Sequence, residues 1–208
     1  MKLQLALDRL KREECFQILE ETIDNIDIIE VGTGVIKEYG MSIVKEIKRL
    51  YPEKLLLADM KTCDAGHHEA LQAFEAGADI TTVMGFASDI TITEMQNIAE
   101  RYPKNIMVDL LEINSKKRIM ELERLGVGLV SLHVGKDKQS ERNFNLELFS
   151  LIEGTQLDIA VAGGINIETL QEIAQRRPDI IIVGSAITKA ESPKTMAMNM
   201  KDVIREFS

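Results

Sequence analysis

Short apolar runs rich in Ile, Val and Leu alternate with longer amphipathic stretches along the whole chain. The runs are residues 3–7 (LQLAL), 26–31 (IDIIEV), 54–58 (KLLLA), 79–84 (DITTVM), 105–110 (NIMVDL), 128–133 (GLVSLH), 158–162 (DIAVA) and 179–183 (DIIIV). Most do not alternate polar with apolar. Strands buried on both faces read this way, so the runs predict a parallel sheet covered by helices. Helical spacing fills the gaps. Ile43, Val44, Ile47 and Leu50 share one face, and Ile119, Leu122 and Leu125 do so behind Ser115 as N-cap. Ile167, Leu170, Ile173 and Ala174 form a third stripe behind Asn166, while Gly77 and Gly126 suit left-handed helix ends. The strand ends fall near Asp8, Glu30, Asp59, Met84, Asp109, His133, Ala162 and Gly184, separated by 22, 29, 25, 25, 24, 29 and 22 residues. A pitch of about 25 residues, eight times over, predicts an α/β fold, a single-domain (β/α)8 TIM barrel over residues 1–208. A doubly wound open sheet is the alternative. The polar segment 135–145 is expected to be a mobile loop.

Composition narrows the function. A chain of 208 residues carrying 25 basic and 34 acidic side chains has a net charge of 25 − 34 = −9, which argues against a nucleic-acid partner. Cys15 and Cys63 make neither a disulfide framework nor a zinc spacing. The N-terminal run turns charged after seven residues and no apolar run reaches spanning length, so no membrane role and a cytoplasmic location are expected.

Chemistry in such barrels sits at the C-terminal ends of the strands. Here those ends carry Asp8, Glu30, Asp59, Lys61, Asp64, Asp109 and His133. Each has an ordinary explanation. Asp8 and Asp64 could be helix N-caps, Asp59 and Lys61 an ion pair, His133 a satisfied core histidine. His67 and His68 fit the first turn of a helix better than a site. Yet buried carboxylates are costly unless paired or bound to a cation, and so many on one rim are hard to explain by packing. Gly163 and Gly164 follow the seventh strand, and Gly184 and Ser185 the eighth, where backbone N–H groups of barrel enzymes hold phosphate. Gly32 and Gly34 read as turn glycines. The pattern predicts an enzyme for a small phosphorylated substrate, with Mg²⁺ or another hard divalent cation such as Mn²⁺ on carboxylate oxygens.

At residues 58–66, ADMKTCDAG, Asp59, Lys61 and Asp64 spell D-x-K-x-x-D, a motif similar to that of the orotidine 5′-monophosphate decarboxylase suprafamily. LQLALD (3–8), DIIEVGT (27–33), HVGKD (133–137), AVAGGI (160–165) and IIVGSAIT (181–188) extend the likeness over essentially the whole chain. It resembles the 3-hexulose-6-phosphate synthase branch, whose sister branch is 3-keto-L-gulonate-6-phosphate decarboxylase. The resemblance implies a Mg²⁺-dependent homodimer working through a cis-enediolate. It implies Glu30 and Asp59 as metal ligands, Asp8 for substrate hydroxyls, Lys61 for the enediolate and His133 as acid/base. Asp64 would reach into the partner's site, and Gly163, Gly164, Gly184 and Ser185 would bind phosphate. Where the decarboxylase pattern has Glu, Arg, Thr and Arg, this chain has Asp109, Lys136, Ala162 and Ser185. Asp109, Ala162 and Ser185 side with the synthase; Lys136 resembles the decarboxylase's cation. The implied reaction joins D-ribulose 5-phosphate and formaldehyde. The decarboxylase, and a silent sugar-phosphate-binding barrel, are the alternatives.

Overall fold

A computed structural model describes residues 1–138 and 144–207. Eight parallel strands close into a barrel in chain order: β1 (Lys2–Leu7), β2 (Ile28–Val31), β3 (Leu55–Thr62), β4 (Ile80–Met84), β5 (Asn105–Asp109), β6 (Leu129–His133), β7 (Asp158–Ala162) and β8 (Ile180–Val183), with β8 pairing back onto β1. Outside lie α1 (Arg12–Thr22), α2 (Thr33–Tyr39), α3 (Met41–Leu50), α4 (Gly66–Glu75), α5 (Asp89–Arg101), α6 (Lys116–Arg124), α7 (Ile167–Gln175), α8 (Ser185–Thr188) and α9 (Pro193–Glu206). Among the described residues, 3₁₀ turns at Lys136–Lys138 and Leu146–Leu151 follow β6 in place of an α-helix. Residues 139–143 of the segment expected to be mobile lie outside the described residues. None of the described helices is long and apolar enough to cross a membrane.

The two-residue period of the strands sorts their side chains into two cores. Leu3, Leu5 and Leu7 of β1 face the helices, as do Ile29 and Val31 of β2. Ala6, Ile28, Leu57, Ile80, Met107 and Ile182 fill the barrel interior. Both faces are apolar at mid-strand, which is why the runs do not alternate in sequence.

The helix ends follow local chemistry. Asn166 Oδ1 accepts from the backbone N–H groups of Glu168 and Thr169, both at 3.0 Å, and starts α7. Gly77 and Gly126 take φ of 97° and 83° beyond the ends of α4 and α6. Ser115 stands at the cap of α6, but its hydroxyl makes no capping bond. Neither expected aspartate cap forms: α1 is capped at Lys11 and α4 at Ala65, so Asp8 and Asp64 lie outside both helices.

At the N-terminal ends of the strands, three aspartates tie neighbouring strands together. Asp27, Asp79 and Asp179 precede β2, β4 and β8 and accept the backbone N–H groups of Leu3, Leu56 and Ile159 at 2.7, 2.9 and 2.8 Å. Asp79 also accepts from Lys48 Nζ at 2.7 Å and Lys104 Nζ at 2.5 Å. Burial alone would raise its carboxyl, but Lys104, Lys48 and the Leu56 N–H outweigh burial and hold it below the ordinary range. A group depressed in the folded state contributes stability above its unfolded pKa, and that stability is lost as pH falls through the folded value. Asp79→Asn is expected to cost about 2 kcal/mol at pH 7 and to flatten the loss of stability below about pH 4. Thermal melts of both proteins from neutral to acid pH test this. Parallel curves through the acid range would remove Asp79 from the acid transition.

Candidate active site

The site grows from an irregularity in β3. The strand continues past the expected end near Asp59 as far as Thr62, and its register against β4 shifts between Ala58 and Thr62. Within that bulge Lys61 takes φ of 49°, a left-handed conformation that costs a non-glycine residue about 1 kcal/mol or more. Its N–H donates to Thr82 Oγ1 at 2.9 Å, and the Thr82 hydroxyl donates to Asp59 Oδ1 at 2.7 Å. Thr33 Oγ1 approaches Asp59 Oδ2 at 2.7 Å. Two threonines therefore fix the Asp59 carboxylate, and the bulge turns Lys61 back into the barrel.

Asp109 is the hub of the interior. Lys61 Nζ hydrogen-bonds to its Oδ2 and lies 3.4 Å from Asp59 Oδ2. His133 Nδ1 is 2.9 Å from Asp109 Oδ2 and 3.1 Å from Oδ1, while the Leu111 N–H donates to Oδ1 at 2.9 Å. A carboxylate only accepts, so Nδ1 carries the proton and Nε2 is left as the basic nitrogen.

The electrostatics follow from this crowding. Burial would raise the Asp109 carboxyl, but His133 and Lys61 hold it down at about 2. Burial would lower the Lys61 ammonium, but Asp59 and Asp109 outweigh it and keep it firmly protonated. Glu30 is pushed well above the ordinary carboxylate range by burial, then by Asp59 and Asp8. Asp8 opens onto cavity solvent, yet enclosing protein and then Asp59 raise it too. Four carboxylates face one ammonium and one imidazole, an excess of negative charge at the mouth of the barrel.

These groups line a cavity of about 1040 Å³ at the C-terminal ends of the strands. Asp8, Glu30, Asp59, Lys61, Asp109 and His133 share its wall with Lys136, Ala162, Gly163, Gly164, Gly184 and Ser185. Asp64 does not line it; the residue is exposed outside the cap of α4. His67 and His68 lie in the first turn of α4, as expected, and do not line the cavity; His67 Nδ1 is 3.5 Å from Glu94. The glycines divide. Gly163 has φ of 101°, and a Cβ there would lie 2.1 Å from the Val134 carbonyl oxygen, so conformation and space both demand glycine. Gly32 has an ordinary φ of −67°, so the turn reading fails. A Cβ on Gly32 would lie 2.0 Å from Asp8 Oδ1, and its absence makes room for that carboxylate.

Sequence reasoning passed over Gln4, Thr33, Thr82 and Ser131, all of which line the same cavity. A signal existed: Gln4, Thr82 and Ser131 are polar side chains inside apolar runs, at the inward-facing parity of Ala6, Ile80 and His133.

Comparison with known proteins agrees with this geometry. The profile of the orotidine 5′-phosphate decarboxylase / HUMPS family matches residues 1–200. The chain belongs to that family. It is 40% identical over 207 residues to the 3-hexulose-6-phosphate synthase of Bacillus subtilis (strain 168), covering 98% of this chain and 99% of that one. The crystal structure of 3-hexulose-6-phosphate synthase from Salmonella typhimurium superposes with a TM-score of 0.97 at 37% identity over 100% of both chains. That of 3-keto-L-gulonate-6-phosphate decarboxylase from Vibrio cholerae gives 0.86 at 25% identity, covering 100% of this chain and 98% of that one. Membership implies a small phosphorylated sugar as substrate and is consistent with use of a divalent cation. Among the described residues no three His, Cys, Asp or Glu side chains converge as a complete cage for a metal.

Proposed function

We propose that the chain is an aldehyde-lyase that joins D-ribulose 5-phosphate and formaldehyde into D-arabino-3-hexulose 6-phosphate, reversibly, in the cytoplasm, with residues 1–208 forming one barrel domain that works as a homodimer. The observation that carries this reading is the Lys61–Asp109–His133 constellation, which sets a basic imidazole nitrogen and a fixed ammonium on one wall of the cavity. The two synthases named above support the same reaction.

The backbone N–H groups of Gly163, Gly164, Gly184 and Ser185 anchor the phosphate, and Asp8 accepts from the sugar hydroxyls. His133 Nε2 takes the proton from C1, beside the carbonyl carbon C2, and leaves an enediolate. Lys61 stands as the compensating cation for the charge that develops. The electron pair of the broken C–H bond forms the new bond from C1 to the formaldehyde carbon, and the formaldehyde oxygen gains a proton. Glu30 and Asp59 fit Mg²⁺ or Mn²⁺: they are hard, buried oxygen donors with more negative charge around them than Lys61 offsets. A pair suffices, since Mg²⁺ is commonly held by one or two carboxylates with waters and substrate oxygens completing its shell. When bound, the cation polarises the carbonyl and stabilises negative charge on oxygen.

Asp64 serves the site of a second copy of the chain. It is exposed, it misses its own cavity, and its own helix does not use it as a cap. Phe86, in the turn after β4, is exposed at 58% and Ile90, in the first turn of α5, at 77%, apolar surface suited to a homodimer interface.

A second reading, decarboxylation of 3-keto-L-gulonate 6-phosphate, is favoured by Lys136 on the cavity wall. A paired assay with Mg²⁺ separates the two. One arm follows loss of formaldehyde with ribulose 5-phosphate, the other release of CO₂. Formaldehyde loss is expected to dominate. Dominant CO₂ release would assign the reaction to Lys136 over Asp109, Ala162 and Ser185, and activity in neither arm would leave a sugar-phosphate-binding barrel.

A further inference from the structure

Gln4 lies deeper in the barrel than any group assigned a role above. It is fully buried on β1, on the inward face that also carries Ala6. Its neighbours in the interior are apolar: Ala6, Ile28, Leu57 and Ile182 among them. A Leu or Met would suit the same packing. The amide instead places Nε2 2.5 Å from Glu30 Oε2, across the β1–β2 pairing in which Ala6 faces Glu30. A Glu30 that holds a cation is ionised and only accepts, so for that role the NH₂ side of the amide must face it. The other end, Gln4 Oε1, is buried with no hydrogen-bond partner among the described residues. A buried acceptor without a donor carries a penalty that an apolar side chain would avoid. The arrangement makes sense for a residue retained for its donor.

We infer that Gln4 is a positioning residue for Glu30, tying down one carboxylate oxygen so that the other is presented to the divalent cation. The inference rests on the reading of Glu30 as a metal ligand. Among the described residues Gln4 is the hydrogen-bond donor to that side chain, whereas Asp59 is held by Thr33 and Thr82. Outer hydrogen bonds of this kind typically change metal affinity by about 10–100-fold.

The test measures Mn²⁺ binding to purified protein by water-proton relaxation, without substrate, for wild type, Gln4→Met, Gln4→Leu, Glu30→Gln and Gln4→Met/Glu30→Gln. Gln4→Met and Gln4→Leu are expected to weaken Mn²⁺ by roughly 10–100-fold while melting in chelator at or above the wild-type temperature. Their activity with ribulose 5-phosphate and formaldehyde should return at saturating Mn²⁺, and adding Gln4→Met to Glu30→Gln should change nothing further. Wild-type affinity in both Gln4 variants, with affinity lost in Glu30→Gln, overturns the role of Gln4 and leaves Glu30 as ligand. Wild-type affinity in Glu30→Gln overturns the ligand reading and this inference with it. If neither Gln4 variant folds in chelator, Gln4 is a packing residue and the inference is overturned.

Discussion

In deuterated buffer, the His133→Ala protein is expected to leave the C1–H bond of ribulose 5-phosphate essentially unexchanged, with turnover down by roughly 10²–10⁴-fold. The size of the effect follows from geometry. Asp109 holds Nδ1 at 2.9 Å and is itself held down at about 2, so the imidazole keeps one tautomer and offers Nε2. Removing the ring removes the positioned base. It leaves Asp109 bonded to Lys61 and to the Leu111 N–H, so no buried charge is stranded and the barrel should melt near the wild-type temperature. Exchange is the decisive readout, because it reports proton abstraction without the formaldehyde step. Exchange at the wild-type rate in His133→Ala would move the base elsewhere.

The second large effect concerns Asp64. Asp64→Ala alone is expected to lose roughly 10²-fold or more of activity, although among the described residues Asp64 neither lines its own cavity nor caps α4. Co-expressing Asp64→Ala with His133→Ala chains should restore what neither has alone. In a mixed dimer, the barrel that keeps His133 receives Asp64 from its partner, while the other site lacks both. Random pairing makes half the dimers mixed, each with one working site, so about a quarter of wild-type activity should return. Activity no higher than that of the two parents would place Asp64 outside the partner's site. Loss of the dimer on substituting Phe86 and Ile90 with Ser should abolish the recovery, since those side chains supply the exposed apolar surface of the proposed interface.

Much of the barrel was legible before any coordinates. Each strand carries its own apolar run, and α3, α6 and α7 each carry their own stripe. The carboxylates at strand ends stood out because burial is costly for them. What escaped was local geometry imposed from a distance. The apolar run of β3 stops at Ala58 and predicts a strand end near Asp59; a bulge carries the strand on through Lys61 to Thr62. Gly32 looked like a turn glycine, but its φ is ordinary and its missing Cβ is what makes room for Asp8 Oδ1 at 2.0 Å and the Leu7 carbonyl oxygen at 2.7 Å. Asp8 and Asp64 had the right spacing for N-caps, yet Lys11 and Ala65 hold those positions. After β6 the expected helix gives way to 3₁₀ turns, where Phe144 and Phe149 pack edge to face at 6.0 Å.

The sequence by itself determined the strand count, the parallel order and the rim on which chemistry gathers, because apolar content and two-residue parity act within a few residues of chain. Tertiary structure alone decided which polar groups meet. Lys61 finds Asp109 48 residues away, Gln4 finds Glu30 26 away, and Thr82 finds Asp59 23 away. Those pairings depend on the register of neighbouring strands once the barrel has closed, and no periodicity along the chain encodes a distance across it.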